Sequence, residues 1–380
     1  MTTDLPGRQL NVKKIGNGVI VTALTSAILA AFLMPFLYMV FTSLKTPLQM
    51  TAQGAPIWPA ANPTYVYTGE NKGTYTLKVN KSGFLVNQTV NLTDFVGKTL
   101  QIYTVPLPDG THQDLALIDG YTKSSIFIDP VHPAADPIVW NGGYFKALPR
   151  PWVFSPTWSN FAEVWTDINY PRVLWNTFFY ALTTTIGVLF SCILVAYAFS
   201  RFRFPGRDFL FIVLIATLFL PATVTIIPTF TFFSKIGWTG TWLPLIVPAF
   251  FGNPFDVFLL RQYFMTLPRE LDESAMIDGA SSLRILLSVI IPQSYAAIVA
   301  VTVFHVVYAW NDYFGPLIYL STKLNSQPIS VALARFNGIY GQQPQLIQAG
   351  ALMTLIIPVI IFFLAQRFFV QGIVITGVER

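Results

Sequence analysis

The chain has 380 residues, 53% of them hydrophobic and 11% charged, with a formal net charge of +5. Soluble domains carry about 25% charged residues, so this composition excludes an ordinary soluble enzyme and describes a polytopic membrane protein. One cysteine, Cys192, and three scattered histidines, His112, His132 and His305, exclude a disulfide framework and any Cys/His metal spacing, and the positive excess needs no nucleic acid if Lys and Arg collect in cytoplasmic loops.

The first apolar run, Val19–Phe41, follows Lys13 and Lys14. It exceeds the roughly 7–15 apolar residues of a signal peptide, so it reads as an uncleaved first span. Five more runs approach the length of about 20 residues that a span needs. They are Val173–Phe199, Asp208–Phe233, Trp242–Leu260, Leu286–Leu320 (broken or extended past the bilayer) and Ile347–Phe369. Arg8, Lys13 and Lys14 precede span one; Arg201, Arg203 and Arg207 follow span two; Arg261, Arg269 and Arg284 follow span four; Arg367 and Arg380 end the chain. The opposite short connections hold Lys235, and Lys323 with Arg335. The charge bias therefore predicts that both termini are cytoplasmic. Prolines 221 and 228 in span three and 244 and 248 in span four predict kinks, which suit a bundle that opens and closes but are also frequent in membrane helices generally.

The long first loop, residues 46–170, has a different grammar. Thr74–Val79, Leu85–Leu92, Thr99–Val105, Leu115–Ile118 and Ser124–Ile128 read as strands separated by turn clusters such as Asn80–Gly83 and Pro108–Gly110. A small all-β insertion over about residues 64–140 is predicted outside the membrane, flanked by the proline-rich segments Pro56–Pro63 and Pro130–Pro156, which read as semi-rigid linkers. The expected organisation is thus 1–45 for the N-terminus and first span, 46–170 for this loop, 171–370 for the helical core and 371–380 for a cytoplasmic tail.

The connection between spans four and five, residues 267–284, is more elaborate than joining two spans requires. Pro268 suits a first helical position, and Glu270, Asp272 and Glu273 complement the positive end of a helix dipole. Leu271, Ala275 and Met276 supply an apolar side, Gly279 can take the left-handed conformation that ends a helix, and Ser281 or Ser282 can cap the next. The prediction is a short amphipathic helix, a sharp turn and a second helix entering the membrane, with small residues (Ser274, Ala275, Gly279, Ala280, Ser281) at the bend.

This segment resembles the EAA motif of binding-protein-dependent ABC transporter permeases: Glu273-Ser274-Ala275, three residues, Gly279, and then Ile291-Pro292 downstream. Ser274 departs from the usual middle Ala but is equally small. Asp278-Gly279-Ala280, Trp310-Asn311-Asp312, the tract Gly350–Pro358 and the ending that begins at Gln366 are similar to the carbohydrate-importer branch, specifically MalG-like permeases of the maltose type. The resemblance covers the six spans and the tail and leaves out the first loop. It implies an all-α type I importer permease fold of six transmembrane helices with the β insertion between helices one and two. It also implies a non-catalytic subunit that moves a sugar or oligosaccharide, maltose or maltodextrin being the type substrate, by alternating access. The implied partners are a second, MalF-like permease, two ATP-binding-cassette ATPase subunits that use ATP and Mg, and an extracytoplasmic substrate-binding protein. Glu273 and its neighbours Ser274, Ala275, Asp278 and Gly279 are then the ATPase-coupling helix, and the tail residues Gly377, Glu379 and Arg380 reach the ATPase dimer.

Trp310, Asn311 and Asp312 stand late in the fifth span, toward the outer side. An ionisable residue there faces a wet interior, as on a translocation path or outer gate, but Trp and polar residues are equally ordinary in an interfacial belt. His305 reads as a packing residue. No P-loop, Gly-x-Ser-x-Gly elbow or His-Glu-x-x-His motif occurs, so no cofactor or metal is expected on this chain and the energy must come from another subunit. A secondary transporter or channel is the alternative; it would call for charge networks in the spans or a repeated half, and neither is evident in the sequence.

Overall fold

A computed structural model describes residues 12–71, 73–81, 84–338 and 341–375. It divides into two compact units, Met1–Trp158 and Ser159–Arg380.

The first unit begins with helix α1, Val12–Ser43, whose side chains from Ile20 to Tyr38 are exposed; Phe32 is 80% exposed. Such a helix has no protein core to join and suits lipid. The short helix α2, Pro47–Thr51, starts on Thr46, whose hydroxyl accepts from the Gln49 backbone N–H, with Pro47 at the first position. Nine strands follow: β1 Ala60–Ala61, β2 Thr64–Val66, β3 Thr74–Lys81, β4 Phe84–Asn91, β5 Thr99–Pro106, β6 His112–Gly120, β7 Ser125–Ile128, β8 Ile138–Trp140 and β9 Val153–Phe154. An antiparallel five-stranded sheet has the order β2-β5-β6-β7-β8, β3 pairs with β4, and β1 with β9. The period of two explains why the sheet is packed on both faces. Leu100, Ile102, Ala116, Ile118, Ile126 and Ile128 join Tyr67, Leu77 and Leu92 on one side. Tyr103, Val105, Leu115 and Phe127 form the other core, where the Phe127 ring meets Tyr103 and Trp140 edge-on.

All five predicted runs are strands, but the flanks are not plain linkers. β1 and β9 pair across them, β8 adds to the sheet, and buried Gln49 clamps the first flank: its Nε2 donates to the carbonyls of Pro56 (3.0 Å) and Trp58 (2.7 Å), and its Oε1 accepts from the Ala60 N–H (3.0 Å). A carbonyl outside regular secondary structure needs a donor from elsewhere, which the buried glutamine supplies. The Thr157 N–H donates to the Leu44 carbonyl at 2.8 Å, so the entry and exit of the insertion are tied together at the end of α1.

The second unit is helical. Its elements are α3 Ser159–Asp167, α4 Tyr170–Arg201, α5 Arg207–Ala216, α6 Ala222–Lys235, α7 Leu243–Ile246, α8 Pro254–Thr266, α9 Glu270–Ile277, α10 Ser282–Ile285, α11 Ile291–Gln293, α12 Tyr295–Asn311, α13 Phe314–Leu320, α14 Ile329–Leu333 and α15 Pro344–Ile375. α4 is the central mast. Val188, Cys192, Ala196 and Tyr197 on it pack with Val257, Leu260 and Phe264 of α8, with Ile285, Leu286 and Ile290, and with Val301 of α12. Gly187 lets the Phe250 ring lie against α4: a Cβ there would stand 2.8 Å from the ring.

Four described helices are long and apolar enough to cross a membrane, and six if each of two bent pairs is one span. The predicted third span is such a pair, bent by 101° where Leu220 and Pro221 separate α5 and its 3-10 extension from α6. The predicted fifth span is the other, starting at Ser282 and bent by 81° at Ser294. Pro292 removes a donor beside that bend, and a π-helical turn over Leu286–Ile290 absorbs the misfit. The fourth span runs through the 3-10 segment Val247–Phe251 and continues to Thr266, six residues beyond the predicted end at Leu260. There Gly252 turns at φ +90° and the Asn253 side chain caps α8 by accepting from the N–H groups of Phe255 and Asp256.

Candidate functional site

The connection after α8 folds as its residues dictate. α9 begins at Glu270, with Pro268 just ahead of the cap residue Arg269 rather than at the first helical position. Its end is a complete Schellman motif: the Ala280 N–H donates to the Ala275 carbonyl (2.9 Å) and the Gly279 N–H to that of Met276 (3.0 Å), with Gly279 at φ +78°. Ser281 then caps α10 by accepting from the Arg284 N–H at 3.4 Å. The expected apolar side is narrower than the spacing suggested. Leu271 and Ala275 are half-buried, Ala275 against the core, whereas Met276 is 57% and Ile277 87% exposed. At about 100° per residue, a residue five positions on from Leu271 lies roughly 140° round the helix, so Met276 cannot share its face. The result is an outward surface carrying Glu273, Met276, Ile277 and Asp278, all exposed, with Ser274 Oγ turned back onto the Leu271 carbonyl.

The three acids of the first turn part company. Glu270 and Glu273 are exposed, but Asp272 is buried and its Oδ2 lies 3.2 Å from Arg201 Nε at the end of α4, with side-chain exposures of 10% and 5%. Arg201 also donates from Nη2 to the Leu267 carbonyl (3.2 Å), and Tyr197 donates from its hydroxyl to the Ser282 carbonyl (3.1 Å). Arg261 donates to the Phe199 carbonyl and lies 3.9 Å from the centroid of the Phe211 ring. Arginines that the sequence offers as topology markers thus bolt α9 and its flanks to the mast.

On the same unit a cavity of about 870 Å³ opens among α4, α6, α7, α12 and α13. Tyr180, Thr229, Tyr308, Asn311 and Asp312 are among its lining residues. The Asp312 carboxylate accepts from the Tyr180 hydroxyl (2.7 Å) and the Gly315 N–H (3.2 Å), and the Ser330 hydroxyl holds the Asp312 carbonyl at 2.7 Å. Asn311 is exposed; Trp310 is buried, is not part of the lining, and its Nε1 has no hydrogen-bond partner among the described residues. A smaller cavity of about 310 Å³ shares Asn253, His305 and Tyr308 with the first and adds Asp256. Asp256 and His305 are both buried, with Oδ2 and Nδ1 3.9 Å apart. Asp256 went unremarked in the sequence, although an aspartate inside an apolar run was the available signal.

Gly377, Glu379 and Arg380 lie outside the described residues. Among the described residues no three His, Cys, Asp or Glu side chains converge as a metal site.

Residues 173–374 match the family model described as "Binding-protein-dependent transport system inner membrane component". The osmoprotective compounds uptake permease protein GgtD of Synechocystis sp. is 31% identical over 306 residues, which is 80% of this chain and 99% of that protein. The sn-glycerol-3-phosphate transport system permease protein UgpE of Pectobacterium atrosepticum is 35% identical over 58% of this chain and 80% of its own length. Among solved structures, a chain of a bacterial ABC transporter involved in import of the acidic polysaccharide alginate is 18% identical. It superposes with a TM-score of 0.60 over 97% of this chain and 100% of its own, so the two share a fold.

Proposed function

The chain belongs to the family of binding-protein-dependent transport system inner membrane components, and from that premise we propose that it is one permease half of an ATP-driven importer for a sugar-like solute. In this reading each bent helix pair is one span, giving six, with both termini cytoplasmic and the β unit inserted on the outer side between spans one and two. A second permease completes the translocation path, two ATPase subunits dock from the cytoplasm, and an outer binding protein delivers the solute. A sugar or a related polyol is in keeping with relatives named for osmoprotective compounds and alpha-glucosides; no single sugar follows from them.

The observation that carries the reading is the surface of α9. Met276 and Ile277 expose apolar area beside Glu273, on a helix held to the mast by the buried Asp272. Asp278 stands at the C-terminal end, where an acid opposes the helix dipole at a cost of about 0.3–1 kcal/mol. An apolar and acidic ridge kept at that cost suits a cleft with basic groups on a nucleotide-driven partner. Closure of the ATPases would then move α9, and through Arg201 the mast α4, as one body.

The alternative of a secondary transporter or channel leaves this ridge without a purpose. The test is Glu273→Lys. Membrane levels of the complex should stay normal while solute uptake falls at least tenfold and ATP hydrolysis no longer responds to the binding protein. Normal uptake in this variant would remove Glu273 from the coupling contact.

A further inference from the structure

We propose that the 870 Å³ cavity of this chain is itself a solute-contacting site, selective for uncharged polyhydroxylated molecules over anions, with Asp312 as its specificity-determining group. The inference rests on the importer reading and adds to it which subunit touches the solute and what charge the solute carries.

The lining argues for it directly. No lysine or arginine is among the described lining residues, while Asp312 lines the space and Asp256 borders the adjoining cavity. An anionic solute would enter a low-dielectric space beside a carboxylate with no cation to pair with, which is costly. A hydroxyl-rich neutral solute meets the opposite situation. Asp312 is oriented by the Tyr180 hydroxyl and the Gly315 N–H, which occupy one acceptor site on each oxygen. A carboxylate has about four such sites, so further acceptors stay open for solute hydroxyls, and bonds of this charge-assisted kind are the stronger ones. Asn311 is exposed beside it, its amide donating to the Val307 carbonyl and leaving its own oxygen as an acceptor. The Tyr308 ring, 66% exposed, offers a flat apolar face of the sort that packs against the C–H side of a sugar ring. Oriented acceptors around an aromatic wall are the usual anatomy of a small-molecule site. The charge logic differs from what a phosphate or uronate would require, namely Arg or Lys.

The experiment uses the whole complex reconstituted in vesicles with its ATPase, second permease and binding protein. The probes are radiolabelled sucrose and maltose as neutral solutes, and sn-glycerol 3-phosphate and glucuronate as anions. ATP-dependent import of at least one neutral probe is expected, with both anions at least tenfold slower. Asp312→Asn should raise KM for the neutral probe about tenfold, the equivalent of one charge-assisted hydrogen bond, and narrow the neutral-to-anion ratio. Asp312→Glu should restore the ratio in part. Asn311→Ala removes an exposed cavity group that holds no other helix, should raise KM a few-fold, and keeps the test alive if Asp312→Asn fails to assemble. Import of an anion as fast as the neutral probes, import of neither neutral probe, or an unchanged KM and ratio in both Asp312→Asn and Asn311→Ala would overturn the inference. Equal solute movement with and without ATP would instead overturn the importer reading.

Discussion

Replacing Asp272 by Asn leaves the Arg201 guanidinium buried at the end of α4 with the Leu267 carbonyl as its one described hydrogen-bond acceptor. An exposed ion pair would contribute about 0–1 kcal/mol. Here both side chains are nine-tenths or more buried, and breaking such a pair from one side costs about 3–5 kcal/mol because the remaining charge stays desolvated. The lower figure is the better expectation: Asp272 Oδ1 has no hydrogen bond among the described residues, so the contact is a single ionic approach and not a bidentate one. About 3 kcal/mol shifts a docking equilibrium roughly a hundredfold. α9 has eight residues, too few to persist as an isolated helix, so the loss falls on its attachment to the mast. Binding-protein-stimulated ATP hydrolysis should therefore collapse in Asp272→Asn and in Arg201→Gln, with the thermal midpoint of the purified complex lowered. The exchange Arg201→Asp with Asp272→Arg should recover part of both. Single variants within about 0.5 kcal/mol of the parent in stability and with normal stimulation would refute the strut, as would strictly additive losses in the exchanged pair.

Gly279→Ala meets no atom within 4 Å, so its cost is conformational: about 1–2 kcal/mol for a left-handed residue bearing a Cβ, read as a lowered thermal midpoint with reduced coupling of ATP hydrolysis to uptake. Gly187→Val collides with the Phe250 ring and should destabilise by about 1–3 kcal/mol or more, whereas Phe250→Ala in the same chain should relieve it; thermal unfolding of the double variant checks this. Replacing residues 64–140 by a short Gly-Ser linker keeps the β1–β9 pair, so the helical unit should still assemble; affinity for the binding protein should fall if the insertion helps to seat it, and unchanged affinity would rule out that role.

How much was legible follows from where each feature is encoded. The strands of the insertion were readable because alternation and turn residues sit next to one another in the chain, as in Thr99–Pro106 and the Pro108–Gly110 turn, where the Leu107 N–H donates to the Thr111 carbonyl. The two-residue strands β1 and β9 were not, since nothing in Ala60–Ala61 announces a partner at Val153–Phe154. The left-handed end of α9 was readable from Gly279 and the next cap was narrowed to Ser281 or Ser282, because both depend on the residue type at one position.

By itself, then, the sequence determined the membrane class, the candidate spans, the strands of the first long loop and the short helix that stops just before Gly279. All of these rest on local composition, periodicity and turn chemistry. Tertiary structure alone decided that Asp272 faces inward to Arg201 while Glu273 faces outward, that Asp312 lines a cavity while Trp310 beside it does not, and that Asp256 approaches His305. The physical reason is the same each time. Whether a polar side chain is buried, and by what it is met, depends on which helix packs against it, and that neighbour is supplied by a distant stretch of the chain.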